Sequence, residues 1–241
     1  MATWEPDESV SCPISHQRWD SVAFLHWSYD PGEVQRLLPR GLEVDVFDGK
    51  AWVGLTPFVV NDFRVPPLPG LPGWSTFPET NVRTYVRSRR GVDGLWLFSL
   101  ECQRLLAVAG IRGSVGLAYK WADMAVQRVS GEIIYSSRRR PPHRERPASW
   151  VRLEPGPPVE AGEVNEREIF LLGRWRAFTQ VFGQLALVPV EHEPWPLAQA
   201  RVVELRDELV PSVGLPPPQD PPLVHFSPGV KVAIGTPRLA A

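Results

Sequence analysis

The stretch Glu43-Val44-Asp45-Val46-Phe47-Asp48-Gly49-Lys50-Ala51-Trp52-Val53 decides the fold class. Two β-prone runs flank Asp48-Gly49, a dipeptide suited to a type I′ turn because both central residues need φ > 0. The second run carries on through Gly54-Leu55-Thr56 and is expected to stop at Pro57. Upstream, Val22 to Trp27 is apolar and β-prone. Asp30-Pro31 then sets a helix start, with Asp at the N-cap, Pro at the first helical position and Glu33 in the first turn. Val34, Leu37 and Leu38 give that short helix one apolar stripe, and Pro39 with Gly41 ends it.

Downstream the same pattern recurs. Asn81 to Ser88 alternates as a strand, Arg89 to Gly94 turns, and Leu95 to Leu100 returns. Val126 to Val129 and Ile133 to Tyr135 flank Ser130-Gly131 as a further hairpin. Trp150 to Leu153, Arg174 to Phe182, Ala200 to Leu205, Leu223 to Phe226 and Val230 to Ile234 add strands. Glu101 to Ile111 reads as a buried helix and Glu166 to Leu172 as a helical turn or two. Arg64 to Gly73, with four prolines and two glycines, is a loop of polyproline character of the kind that rims a site. The sum is roughly ten short strands with two or three short helices. Strands this numerous hide their edges by closing into a barrel or packing as two sheets. A mainly β fold in one domain, residues 1–241, follows, with 1–20 as an N-terminal arm or edge strand.

Composition narrows the function. The 241 residues are 43% hydrophobic and 22% charged, enough apolar material for a core. Proline, 27 of 241 or about 11%, is double the usual ~5% and excludes a long-helix bundle. Lys+Arg 26 against Asp+Glu 27 leaves a net charge of −1, so no basic field draws the chain to nucleic acid. Cys12 and Cys102 are far apart and form no metal or disulfide framework. With no apolar h-region at the N-terminus and no run of ~18 apolar residues, no membrane partner is expected and the chain reads as cytoplasmic. A homo-oligomer is compatible with all of this.

Metal and cofactor chemistry lack their motifs. His16, His26, His143, His192 and His225 are dispersed, and no H-E-x-x-H, G-x-S-x-G or phosphate-binding glycine loop occurs, so neither metal nor cofactor is expected. The informative polar residues sit in apolar text. On a strand, Glu79, Asn81, Arg83 and Tyr85 share one face, where a carboxylate, an amide and a guanidinium in line suit a polar ligand in a barrel mouth. The same spacing also suits a solvated edge with a Glu79–Arg83 ion pair. Lys120, in Gly116-Leu117-Ala118-Tyr119-Lys120-Trp121-Ala122, is either a desolvated nucleophilic amine or a snorkelling lysine packed on Trp121. His192-Glu193-Pro194-Trp195-Pro196-Leu197 is rigid and extended. It aims His192 or Trp195 into a cavity, or else pins a rim loop.

Taken in order, Asp48 to Phe58, Phe77 to Val86, Gly116 to Ala122 and His192 to Leu197 resemble the YqjF-like family of uncharacterised proteins, in the acetoacetate decarboxylase-like superfamily. The resemblance covers residues 20–235. It implies a single closed, cone-like β barrel with a central cavity, and any activity that follows from it is lyase-like, on small carbonyl or carboxylate substrates. In acetoacetate decarboxylase a Pro-Lys-Lys segment supplies a Schiff-base lysine with a second lysine beside it. The similar segment here is Ala118-Tyr119-Lys120, which puts Tyr119 in the nucleophile's place and Lys120 in the neighbour's. Glu79 falls in a segment similar to one that supplies a pocket glutamate. Three functions emerge. Foremost is a pocket for a small carboxylate or carbonyl compound, bound through Arg83, Asn81, Tyr119 and Glu79, with Tyr85, His192 and Trp195 beside them. The others are an imine-forming enzyme with Lys120 and Glu79 catalytic, and an interaction protein docking through its proline-rich loops.

Overall fold

The protein is described from a computed structural model, and the description covers residues 2–71, 73–104, 116–142 and 144–240. In chain order the strands are β1 (Pro13–Tyr29), β2 (Leu42–Val44), β3 (Val46–Phe47), β4 (Lys50–Arg64), β5 (Phe77–Ser88), β6 (Asp93–Cys102), β7 (Tyr119–Val129), β8 (Glu132–Arg139), β9 (Ala148–Pro158), β10 (Arg176–Val181), β11 (Gln184–His192), β12 (Ala198–Asp207), β13 (Leu223–Gly235) and β14 (Arg238–Leu239). The helices are α1 (Pro31–Gln35), α2 (Glu166–Leu172) and α3 (Leu209–Ser212), with a 3-10 turn at Ala161–Glu163. The fold is mainly β, as the hairpin signals predict, but its strands are longer and more numerous than expected.

Hydrogen-bonded neighbours run from β6 through β7, β8, β9, β12, β13, β1, β4 and β5 and return to β6, which closes a nine-stranded barrel. A second circuit also closes. From β13 the chain pairs with β11, then β10, β6, β5, β4 and β1, and so back to β13. Strands β13, β1, β4, β5 and β6 are therefore a wall common to both circuits, and each face of it looks into a different interior. The pleat sorts the side chains: Ala23, Leu25 and Trp27 go to one interior, Val22 and Phe24 to the other.

The nine-stranded interior is filled. Leu25, Val53 and Leu55 from the wall meet Ile133 and Tyr135 of β8, Val151 and Leu153 of β9, and Leu209 and Val210 of α3. Ile133, Leu153 and Leu209 are fully buried. On the face of β6 turned away from Leu100 and Cys102, Glu101 accepts from Arg139 at 2.6 Å, and both are buried.

Local chemistry explains the geometry. Asp48 (φ 51°) and Gly49 (φ 69°) both adopt the left-handed backbone that the type I′ turn requires, pairing Phe47 with Lys50. Asp30 accepts from the Gly32 amide at 2.8 Å and caps α1. β4 runs through Pro57 rather than ending there. Pro57 lies where the β1–β4 register shifts, an irregularity in which a missing N–H does least harm. Ser21 (φ 51°) on β1 and Asp62 (φ 49°) on β4 mark two further irregularities that reverse which side chains face inward. Hence Gln17 and Trp19 face the same interior as Val22 and Phe24. Phe98, skipped between Val82↔Ser99 and Arg83↔Leu97, does the same for Leu97 and Leu100. β1 begins within the first twenty residues and runs through Asp20, from Pro13 to Tyr29. Glu101 and Cys102, expected to open a helix, end β6 instead, and Leu105 to Ile111 of that expected helix lie outside the described residues, as does His143.

Candidate ligand cavity

The second interior is hollow. A cavity of about 450 Å³ is bounded by all seven strands of its circuit, by Tyr119 at the start of β7 and by α2. Asn165 fixes α2, accepting from the Arg167 and Glu168 amides while Glu168 accepts from the Asn165 amide, a capping box. The helix delivers Leu171 and Leu172 to the cavity, and its last carbonyls are satisfied from around it. Tyr85 donates to the Leu171 carbonyl at 2.8 Å, Trp195 Nε1 to Leu172 at 3.1 Å and Arg174 Nε to Phe170 at 2.9 Å.

One strand supplies the polar stripe. Glu79, Asn81 and Arg83 of β5 line the cavity in alternate positions, spanning ~13 Å at ~3.3 Å per residue. All three are buried, so the solvated edge that the spacing also allowed is absent. Tyr119 donates to Glu79 Oε2 at 3.1 Å. Burial pushes the Glu79 carboxyl up to about 8 against the pull of that bond, so it is chiefly protonated at neutral pH. Burial and the neighbouring Glu79 hold the Tyr119 phenol well above its usual range. Asn81 faces Thr56 across the β4–β5 pair, and both Asn81 Oδ1 and Thr56 Oγ1 are buried without a hydrogen-bond partner.

Arg83 carries the charge. Among the described residues no carboxylate lies within ion-pair range of it, and its buried Nε has no partner. Its guanidinium lies 5.3 Å from the Phe24 ring centre. Gly54 on β4 makes the room, since a Cβ there would stand 3.0 Å from His26 and 3.4 Å from Arg83 Cγ. Arg174 and Arg176 reach the same cavity but are neutralised. Arg174 pairs with Asp45 (2.9 Å) and Asp93 (3.0 Å), and Arg176 with Asp93 (3.2 Å) and Asp7.

His192 and Trp195 line the wall opposite, within an aromatic cluster. The His192 ring lies 4.4 Å from Trp195 and 4.5 Å from Trp175. Its Nδ1 donates to the Glu193 carbonyl at 2.6 Å, which leaves Nε2 as the unprotonated nitrogen. Burial, with Arg83 adding to it, lowers its pKa to about 4.

Two expected residues are elsewhere. Lys120 does not line the cavity. The pleat sends it away from Tyr119, and it stands opposite Glu101 in the parallel β6–β7 pair, so the expected imine former is absent from the cavity. Tyr85 lies beneath the floor, where His26 Nε2 donates to its hydroxyl at 2.8 Å, and it supports α2 rather than the lining. Thr56, Phe24, Arg174 and Leu171 went unforeseen. The one sequence signal was Arg174-Trp175-Arg176, which puts two cations on one face beside an apolar run.

The rest of the lining is largely apolar, with Phe58, Leu95, Leu97 and Ile234 on the common wall and Val188 and Val190 facing it, while Ser15 and Gln17 of β1 add polar atoms. Such an arrangement can bury an anionic group against Arg83, with a protonated carboxyl and its phenol partner further along the same cavity.

The closed β architecture matches the acetoacetate decarboxylase-like fold. The chain matches the acetoacetate decarboxylase of Legionella pneumophila at a TM-score of 0.64 and 14% identity, covering 97% of this chain and 90% of that one. It matches the enduracididine biosynthesis enzyme MppR complexed with pyruvate at a TM-score of 0.62 and 14% identity, covering 98% and 93%. Residues 16–231 match the model of DUF2071, described as an uncharacterized conserved protein, and the chain belongs to that family. It is 32% identical over 224 residues, 91% of each chain, to the uncharacterized protein YqjF of Bacillus subtilis (strain 168). Among the described residues no helix is long and apolar enough to cross a membrane.

Proposed function

We propose that the cavity binds a small carboxylate or carbonyl compound without forming a covalent bond to the protein, with Arg83 holding the carboxylate. The buried Arg83 guanidinium, with no carboxylate in ion-pair range among the described residues and its Nε without a partner, carries this reading. A cation withdrawn from water and lacking an anion is costly, and a bound carboxylate supplies the missing partner through charge-assisted hydrogen bonds. Asn81 and Thr56 add polar atoms beside it, and Glu79 stands further along β5 with Tyr119 of β7 against it, where a second ligand oxygen accepts from the protonated carboxyl. Pyruvate in MppR, a protein of like fold, is a ligand of the same chemical kind.

An imine mechanism has less support, because Tyr119 stands at the cavity and Lys120 does not. Thermal unfolding in the presence of pyruvate, propionate and their amides tests the proposal. A carboxylate at a hundredfold excess over its Kd stabilises by about 2.7 kcal/mol. That gain is expected to be absent for the amides and lost in Arg83→Met. Equal stabilisation of the variant, or borohydride trapping of pyruvate on Lys120, would overturn it.

A further inference from the structure

We infer that the ligand is an amphiphilic monocarboxylate, its head on Arg83 and an apolar body of roughly six to ten carbons filling the rest of the cavity at ~30 Å³ per water-sized group. The inference rests on the proposed carboxylate site and adds the size and polarity of what occupies it. Pockets of ~300–1,000 Å³ hold whole organic molecules, and 450 Å³ has room for about fifteen water-sized groups. A keto acid such as pyruvate uses less than half of that. The space left over is mostly apolar outside the β5 stripe. Phe58 and Leu97 flank the β5 stripe, and Val188, Val190 and Leu172 face it, so water retained there finds few partners.

The charges are also placed to orient such a molecule. Arg83 and Arg174 are buried at one end, with Phe24 and Thr56. The opposite end is formed by Ile14, Ser15, Phe63, Val65 and Pro237, of which Val65 is 46% exposed, so this largely apolar end is the mouth. A carboxylate entering there crosses the apolar section before it meets a cation. Once it is seated, the body trails back toward the mouth along the ~13 Å that separates Arg83 from Glu79. Each methylene added is buried against apolar wall and tightens binding about fourfold until the cavity is full.

Isothermal titration of the full chain with propionate, butanoate, hexanoate, octanoate, decanoate and 3-phenylpropionate tests this, with 1-octanol as the uncharged control. Affinity is expected to climb about fourfold per methylene to a plateau near eight to ten carbons. Octanol should bind at least thirtyfold more weakly than octanoate, and Arg83→Met should remove that difference. In a second variant, Ile14→Trp, a larger side chain fills part of the cavity at the mouth, so octanoate should weaken more than tenfold while propionate is unchanged. Flat affinity along the series, with Arg83-dependent binding of propionate, would overturn the amphiphile and leave the carboxylate site standing. Octanol binding as tightly as octanoate would remove the carboxylate site and the amphiphile together.

Discussion

The two interiors share a wall and differ in almost everything else. On one face of β13, β1, β4, β5 and β6, aliphatic side chains from β8, β9 and α3 fill the space, and the charged pair at its edge, Glu101 with Arg139, is mutually satisfied. On the other face β10, β11 and α2 stand back from the wall. They leave about 450 Å³ and a guanidinium with no carboxylate among the described residues. One sheet thus carries stability on one side and unspent polar chemistry on the other. Packed cores tolerate no unpaired charge, so Arg83, without a carboxylate among the described residues, is the reason the proposed ligand site is placed in this interior.

The sharpest way to break this contrast is a matched truncation. Leu153→Ala in the filled interior should cost about 3–5 kcal/mol in urea denaturation, because the surrounding strands cannot collapse into the gap. Leu97→Ala, which only enlarges an existing cavity, should cost about 1–2 kcal/mol. Equal costs would mean that the two interiors are packed alike.

Protonation sharpens it next. The folded pKa of Glu79, about 8, exceeds that of the unfolded chain, so the folded state holds the extra proton. Its contribution is present below the ordinary carboxylate pKa and is lost as pH rises through about 8. Between pH 5 and 8.5 wild type should lose roughly 3–4 kcal/mol more stability than Glu79→Gln. Parallel profiles would place Glu79 in water. The smaller effect has the opposite sign. His192, lowered to about 4, is neutral when folded, so stability falls as pH drops from 6.5 toward 4. His192→Gln should recover roughly 2 kcal/mol of that loss between pH 7 and 4.5.

The sequence made the strand pairing legible where a local rule dictates it. Asp48-Gly49, Ser130-Gly131 and Asp30-Pro31 act within four residues, and each appears where its chemistry requires. The stripe Glu79, Asn81 and Arg83 was legible for the same reason, since alternation along β5 needs no knowledge of the rest of the chain. What resisted was non-local. Two closed circuits follow from β6 and β13 each pairing with more than two strands, and no run of residues announces a third partner. β11 escaped because Pro189 interrupts it, although the Phe182-Gly183 turn (φ 49° and 77°) pairs it with β10. Irregularities at Ser21, Asp62 and Phe98 reverse the inward face, so counting by twos fails across them. Lys120 shows the limit most plainly: its apolar neighbours suited a desolvated amine or a snorkelling one alike, and only the pleat, which turns Tyr119 inward, sets Lys120 off the cavity.

The most direct test is diffraction from crystals of this protein soaked in octanoate. The account predicts the carboxylate within hydrogen-bond distance of Arg83, its chain lying along β5 toward Val65, and the nine-stranded interior unchanged. Octanoate bound outside the seven-stranded circuit, with Arg83 untouched, would contradict it.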